Sequence, residues 1–443
     1  MKAIIITLFL IINIYPAFSQ HANVLFENVN LYDYEKGALS GPFNVLIEGN
    51  TIKKISRSKI PENGNNSLII QGKGKTLIPG LIDVHVHLVF GSLTMGEMMT
   101  NDLSEEFVIE KIGSSSEKML MRGFTSVRDA GGPIFPLKLA IDNGKLIGPR
   151  IWPSGATISQ TSGHGDFRSA SEPSRRFTGV VSRAERFGAT FIADGRDEIL
   201  TAVRENLRFG ASQIKLMAGG GTSSAYDPID VTQYTFDEMK AAVEAAEDWG
   251  TYVTVHAYTP KAVQRAINAG VKCVEHGQML DEETLKILAD KKIWLSLQNL
   301  VGDTDDMSEE RKAKRKPVLE GQAKVWPMAK KLGVKLAWGT DFLFEPELNA
   351  QQNHYILRLQ QWFENSEIIK MITKDNAELL QMSGLRSPYL GKLGVVEENA
   401  LADLILVDGD PFKDLSLLTQ PKMKFIVIMK DGKIFKDISH SEK

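Results

Sequence analysis

The stretch LIPGLIDVHVHLVFG, residues 77–91, sets His85 and His87 two positions apart at the end of an apolar run. Side chains of a strand alternate between faces, so both imidazoles point the same way. Two ring nitrogens converging from one strand can hold one cation. Further groups of this kind close other apolar runs: Lys215 in IKLMAGGG, His256 in VTVHAYT, His276 in VEHG and Asp341 in WGTD. Each has an ordinary reading when taken alone. A His-x-His pair can be two satisfied core histidines, and Gly339-Thr340-Asp341 can be a turn or a helix N-cap. Lys215 can be an edge-strand lysine, yet it interrupts an apolar run, where an ammonium must find a partner or lose its charge. Together the six groups are possible metal ligands or ligand precursors, each at or near the end of a candidate strand.

Positioning them requires a scaffold. Strand candidates lie at 80–87, 125–130, 150–155, 212–217, 252–257, 272–277, 293–298 and 335–341, with helical stretches such as 236–250 and 260–270 between most of them. Eight strands with helical crossovers predict an α/β fold, a (β/α)₈ TIM-type barrel whose chemistry gathers at the C-terminal ends of the strands. The widest gap, between the third and fourth strands, must hold extra loop and helix. Alternating strands recur at both chain ends, at 43–56, 67–78, 402–410 and 425–436, with Asp431-Gly432 as a hairpin turn. Neither end is large enough for its own core. The two are expected to pack together as one small β-sandwich. The expected division is 1–19 a signal peptide, 20–78 plus 386–443 the β-sandwich, and 79–385 the barrel.

Composition narrows the function classes. The formal net charge is −3 with no dense Lys/Arg block, so no electrostatic footprint for nucleic acid or an anionic membrane is present. Residues 1–20, MKAIIITLFLIINIYPAFSQ, carry Lys2, a short apolar run and an Ala17-x-Ser19 cleavage pattern. This predicts export to the periplasm or beyond, with no stable membrane insertion after cleavage. The single cysteine, Cys273, excludes an intrachain disulfide and reads as a small buried residue.

PGLIDVHVHL, IKLMAGGG, VTVHAYT, VEHG and WGTD together resemble the amidohydrolase superfamily, over nearly the whole mature chain. Within it they look like the imidazolonepropionase-like branch that includes bacterial Xaa-Pro dipeptidases (prolidases) and related amidases. The resemblance implies that His85, His87 and Asp341 bind the more buried of two metal ions and that His256 and His276 bind the second. Lys215, carboxylated by CO₂, would bridge them. The chemistry of the residue types agrees. Imidazole nitrogen and carboxylate oxygen suit Zn²⁺. An apolar strand favours the neutral amine that reacts with CO₂. Two divalent ions about 3.5–4 Å apart can share a hydroxide and polarise a carbonyl. Asp341 is then the catalytic proton shuttle.

By the same resemblance His164, in the glycine-flanked TSGHGD loop, contacts substrate. Tyr258, two residues after His256, could donate to a developing oxyanion. Arg128 and Asp129 in SVRDAGG are expected to form an internal salt bridge at the mouth. Gln298 could line the pocket, residues 342–356 would form part of the substrate wall, and the charged run 307–316 reads as a solvated helical face or loop. The expected function is binuclear metal-dependent cleavage of an amide in a small molecule, with an Xaa-Pro dipeptide first and an N-acyl amino acid next. The alternatives are an imidazolonepropionase-like or other cyclic amide or lactone hydrolase, and a non-catalytic binding protein on the same scaffold. The filled ligand set argues against the last, and Lys215 against a mononuclear relative. The resemblance also leaves room for a homo-oligomer.

Overall fold

The computed structural model describes residues 23–61, 67–99, 105–305 and 307–439, so the leader-like residues 1–19 lie outside the described residues. Five strands come first: β1 (Asn23–Asp33), β2 (Ala38–Glu48), β3 (Thr51–Ser56), β4 (Ser67–Gln71) and β5 (Thr76–Pro79). Ten follow, separated mostly by helices: β6 (Leu81–Val86), β7 (Phe124–Asp129), β8 (Arg150–Pro153), β9 (Thr157–Ser159), β10 (Thr190–Ile192), β11 (Ile214–Met217), β12 (Val253–Ala257), β13 (Cys273–His276), β14 (Trp294–Leu297) and β15 (Lys335–Trp338). Three close the chain: β16 (Leu404–Val407), β17 (Phe425–Lys430) and β18 (Lys433–Asp437).

Each of the eight expected central segments contains a strand, and all of them run in parallel ladders. The ladders fall into two sheets, β6-β7-β8 and β10-β9-β11-β12-β13-β14-β15. The expected third strand, 150–155, holds β8, but a further strand follows: the chain bends at Gly155 (φ 75°), and β9 rather than β8 pairs with β11, through Ile158 and Leu216. The long gap that follows holds β10 and three helices, the last being Arg196–Phe209. The two sheets touch at two places, beside β6 and beside β8. Asp341 N donates to His85 O at 2.8 Å, and Ser212 N to Pro153 O at 2.7 Å. At the first junction a Cβ on Gly339 would lie 2.5 Å from His85 N, so only glycine permits the approach.

The intervening helices are bounded as their sequences require. Thr235 and Glu238 form a capping box at Phe236–Asp248. Thr259 caps Pro260–Ala269, which Gly270 ends in the left-handed region (φ 107°). The apolar faces of these helices and the buried strands make one continuous core, including Leu81, Phe124, Ile214, Val255 and Leu295.

The chain ends do join. The sheet path β18-β17-β16-β5-β1-β2-β3 sets the three C-terminal strands beside N-terminal ones, joined where β16 and β5 pair antiparallel, and β4 adds to β1. Its core includes Phe26, Val45, Ile52 and Leu406. Arg150, at the start of β8, ties this sheet to the parallel strands. It donates to both Asp403 carboxylate oxygens (3.1 and 3.2 Å) and to Asp431 Oδ1 (2.7 Å). Among the described residues no helix is long and apolar enough to cross a membrane.

Removing one member of a buried ion pair leaves its partner uncompensated. Arg150→Met is therefore expected to lower unfolding stability by about 3 kcal/mol in a urea titration. A titration unchanged from wild type would contradict this role.

Candidate metal centre

The six predicted groups converge. His85, His87, Lys215, His256 and His276 are all buried, and the Asp341 carboxylate, 19% exposed, is the one opening toward solvent. Asp341 Oδ1 lies 3.3 Å from His85 Nε2 and 3.2 Å from His87 Nε2, while Oδ2 lies 3.9 Å from His276 Nδ1. Ligand atoms of His85, His276 and Asp341 lie within 4.8 Å of one another. Lys215 Nζ is 3.4 Å from His85 Nε2, and the His256 ring centroid is 4.3 Å from that of His276.

Two of these ligand candidates carry an unusual backbone. His276 and Asp341 hold φ of 76° and 54°, a region that costs energy for non-glycine residues and that clusters at functional sites. The backbone next to Asp341 is braced by Asp83. Asp83, fully buried on β6, accepts from His85 N (3.0 Å), Thr340 N (3.2 Å), Thr340 Oγ1 (2.7 Å) and Gln352 Nε2 (2.9 Å). Burial raises this carboxyl to about 6, against those hydrogen bonds.

The tautomers decide what the cluster can hold. His87 Nδ1 lies 2.9 Å from Gly131 O and must donate to it, leaving an electron pair on Nε2. His256 Nε2 lies 3.0 Å from Gly220 O, which leaves the pair on Nδ1. The His87 pair faces a carboxylate oxygen, acceptor against acceptor. A proton on Nε2 or a metal cation between them removes the repulsion, and neutral imidazole with carboxylate is a donor set for Zn²⁺ or a similar divalent ion. The electrostatics run the same way. Burial opposes a charge on His87, yet the Asp341 carboxylate outweighs it and raises the pKa; the same attraction serves any cation placed there. Burial, then the Lys215 ammonium, lowers His85 to about 4, and burial holds His256 and His276 well below the usual range. Burial alone would raise the Asp341 carboxyl, but His85, His87 and His276 hold it far down. Burial also lowers Lys215, which has no carboxylate in ion-pair contact among the described residues.

The two expected substrate contacts both lie against His256. The His164 ring stacks on His256 (centroids 4.0 Å, planes 20° apart), with Nδ1 2.8 Å from Ser224 Oγ and 3.6 Å from Asp227 Oδ2. A Cβ on Gly221 would strike that ring at 1.9 Å. The Tyr258 ring stands 5.1 Å from both His256 and His276. Burial, then Asp341, raises its phenol, so it remains a hydrogen-bond donor at neutral pH.

Three expectations change. Arg128 does form an internal salt bridge, but with Glu275 (2.5 Å) rather than Asp129. Adjacent strand residues face opposite ways, so Asp129 instead accepts from Leu88 N and Gly131 N. The charged run 307–316 opens the helix Glu309–Leu332, yet not all of it is solvated. Arg315 is buried against Asp303, and Lys314 Nζ donates to Ser224 O (2.7 Å) and Asp227 O (2.9 Å), holding the loop beside His164. Cys273 is buried as expected, though its surroundings are polar: Arg128 and Glu275. Gln298 reaches His85 itself, with Nε2 3.0 Å from Nδ1. In the 342–356 segment Phe344 packs on Phe90 (5.7 Å), which neighbours His87. Asp83 and Glu275 were not singled out from sequence; their signal is a carboxylate inside an otherwise apolar strand, one or two residues from a candidate ligand.

Comparison with known proteins places these features. Residues 76–435 match the model of the Amidohydrolase family. Ochratoxinase from Aspergillus niger is 31% identical over 402 residues, covering 86% of this chain and 80% of that protein. A prolidase crystallised with N-methylphosphonate-L-proline superposes with a TM-score of 0.83 at 32% identity, over 94% of this chain and 100% of that one. A Xaa-Pro dipeptidase with methionine bound in its active site gives a TM-score of 0.79 at 28% identity, over 94% and 100%. The parallel-strand unit accordingly has an α/β, TIM-barrel-type fold.

Asp83→Ala removes the acceptor of four buried donors. A loss of about 3 kcal/mol in urea unfolding is expected, together with weaker retention of divalent metal against a chelator. Unchanged retention would show that the Asp83 brace does not hold the site.

Proposed function

The chain belongs to the amidohydrolase family and is a hydrolytic enzyme of the amidase type, and we propose that it cleaves Xaa-Pro dipeptides. The observation that carries the metal-dependent reading is the His87 electron pair opposed to Asp341 Oδ1 at 3.2 Å, with His85 at 3.3 Å beside it. The proline-specific reading is supported by the full-length likeness to a prolidase bound to a phosphonate of proline. The comparable identity to ochratoxinase, an amide hydrolase, keeps a second reading open to test, cleavage of N-acyl amino acids other than dipeptides.

In this reading the eight central strands close into one ring within 79–385, and the terminal strands, 20–78 plus 386–443, form a separate β-sandwich. His85, His87 and Asp341 would hold one divalent ion, and His256 and His276 the other. Lys215 would add an anionic ligand as a carbamate, formed when its neutral amine adds CO₂ and releases a proton. Bound divalent ions, with zinc the first choice, supply positive charge that polarises the scissile carbonyl and acidifies the attacking water. Asp341 accepts a proton from that water and returns it to the leaving nitrogen. A prolyl amide is tertiary, so its amine leaves only when that proton arrives. Tyr258 donates to the carbonyl oxygen as charge develops there. His164, stacked on His256 and held by Ser224, contacts the substrate. Lys314 holds the neighbouring loop through Ser224 O and Asp227 O. A leader at 1–19 would deliver the enzyme to the periplasm or outside the cell, where peptide scavenging suits it.

Metal-loaded protein supplied with bicarbonate is expected to hydrolyse a panel of Xaa-Pro dipeptides, and Lys215→Ala to fall to background. Turnover confined to N-acyl amino acids would transfer the assignment to the second reading; an active Lys215→Ala would remove the carbamate. Tyr258→Phe is expected to lower kcat about 10²-fold with little change in KM. An equal kcat would take Tyr258 out of the reaction.

A further inference from the structure

Below the ligands, on the strand side of the site, lies a buried polar cluster that the proposed reaction leaves unused. Arg128 (β7) and Glu275 (β13) are both 0% exposed. Arg128 donates from Nε to Val84 O (2.6 Å), from Nη1 to Tyr252 Oη (3.0 Å) and from Nη2 to Glu275 Oε1 (2.5 Å). The same Oε1 accepts from Thr254 Oγ1 and lies 3.3 Å from Cys273 Sγ. The two oxygens of Glu275 are thus unequal. Oε1 is crowded with donors, whereas Oε2 has no hydrogen-bond partner and lies at ion-pair distance, 2.9 Å, from His85 Nδ1.

His85 Nδ1 therefore has two competing neighbours of opposite kind. Glu275 Oε2 can only accept from it, while Gln298 Nε2, 3.0 Å away, can only donate to it. If Gln298 prevails, the ring proton sits on Nε2 and points at Asp341 and Lys215, and that nitrogen cannot bind an ion. If Glu275 prevails, the proton sits on Nδ1 and the Nε2 pair faces the site. A hydrogen bond to an ionised acceptor is about twice as strong as one between neutral groups. Gln298 Nε2 also has an alternative acceptor, Ser296 O at 3.0 Å, which Glu275 Oε2 has no counterpart to.

We propose that Glu275, anchored by Arg128, is a positioning residue that selects the metal-binding tautomer of His85. This rests on the metal-centre reading above. A buried Arg–Glu pair contributes little net stability over an apolar pair of the same size, so stability alone gives weak reason for its place here. Orienting a ligand ring through its second nitrogen is a general means of tuning metal affinity.

The order of two variants tests it. In Glu275→Gln, Arg128 and Thr254 still donate toward the Oε1 position, so the amide oxygen settles there and the NH₂ turns toward His85. The acceptor becomes a second donor. Glu275→Asp is shorter but keeps an accepting oxygen. Zinc affinity by chelator competition is expected to fall about 10–100-fold in Glu275→Gln and clearly less in Glu275→Asp. A role in packing predicts the reverse order, because Gln matches Glu in size, and that order would overturn the proposal. So would wild-type affinity in Glu275→Gln. Should either variant fail to fold, the ¹⁵N shifts of His85 in metal-free wild-type protein decide, assigned by difference from His85→Gln. A protonated Nδ1 supports the proposal, and a protonated Nε2 overturns it. Wild-type protein that binds no zinc would instead remove the metal-centre reading itself.

Discussion

One carboxylate oxygen, Asp341 Oδ1, sits 3.2 Å from His87 Nε2 and 3.3 Å from His85 Nε2. Acceptors do not gather this closely in a buried place unless something positive joins them. Much of the surrounding structure follows from keeping that arrangement. Gly131 O and Gly220 O fix the protons of His87 and His256 on the nitrogens that face away from the site. Burial keeps His85, His256 and His276 neutral, which is the form that binds a metal. It also depresses Lys215, the one cation among the six groups, toward the amine that can take up CO₂.

Holding the groups there has a backbone cost. His276 and Asp341 both occupy the left-handed region, a strain that clusters at functional sites. Gly339 lets the end of β15 press against His85, and Asp83 gathers His85, Thr340 and Gln352 onto one carboxylate. The ends of β6 and β15 therefore meet at the site itself, where the last ligand candidate touches the first. Arg150 performs a similar service further away, locking the terminal sheet to β8 through Asp403 and Asp431.

Much of this was legible in the sequence because strand chemistry is local. A period of two places His85 and His87 on one face, and short apolar runs ending in His, Lys or Asp mark the strands and their polar ends together. The central strands and the Asp431-Gly432 turn are features of this kind. What was not legible depends on pairs far apart in the chain. Asp83 meets Gln352, Arg128 meets Glu275, Lys314 meets Ser224, and no local pattern couples them. Arg128 shows the limit clearly: an adjacent Asp129 is the nearest opposite charge in sequence, yet alternation turns it to the other face. The further strand β9 after β8 was hidden for a related reason. Gly155 marks a bend, but only the pairing of Ile158 with Leu216 reveals that the ladder continues beyond it.

Family membership gives this geometry its chemical direction, and the site supplies the parts an amide hydrolase needs: neutral imidazoles, a depressed carboxylate open to solvent, and a phenol beside His256. The central claim is that the six converging groups form a metal centre. Elemental analysis of the desalted protein, isolated from zinc-supplemented medium, tests it most directly. The account predicts two divalent ions per chain. Protein that remains metal-free under those conditions would contradict it.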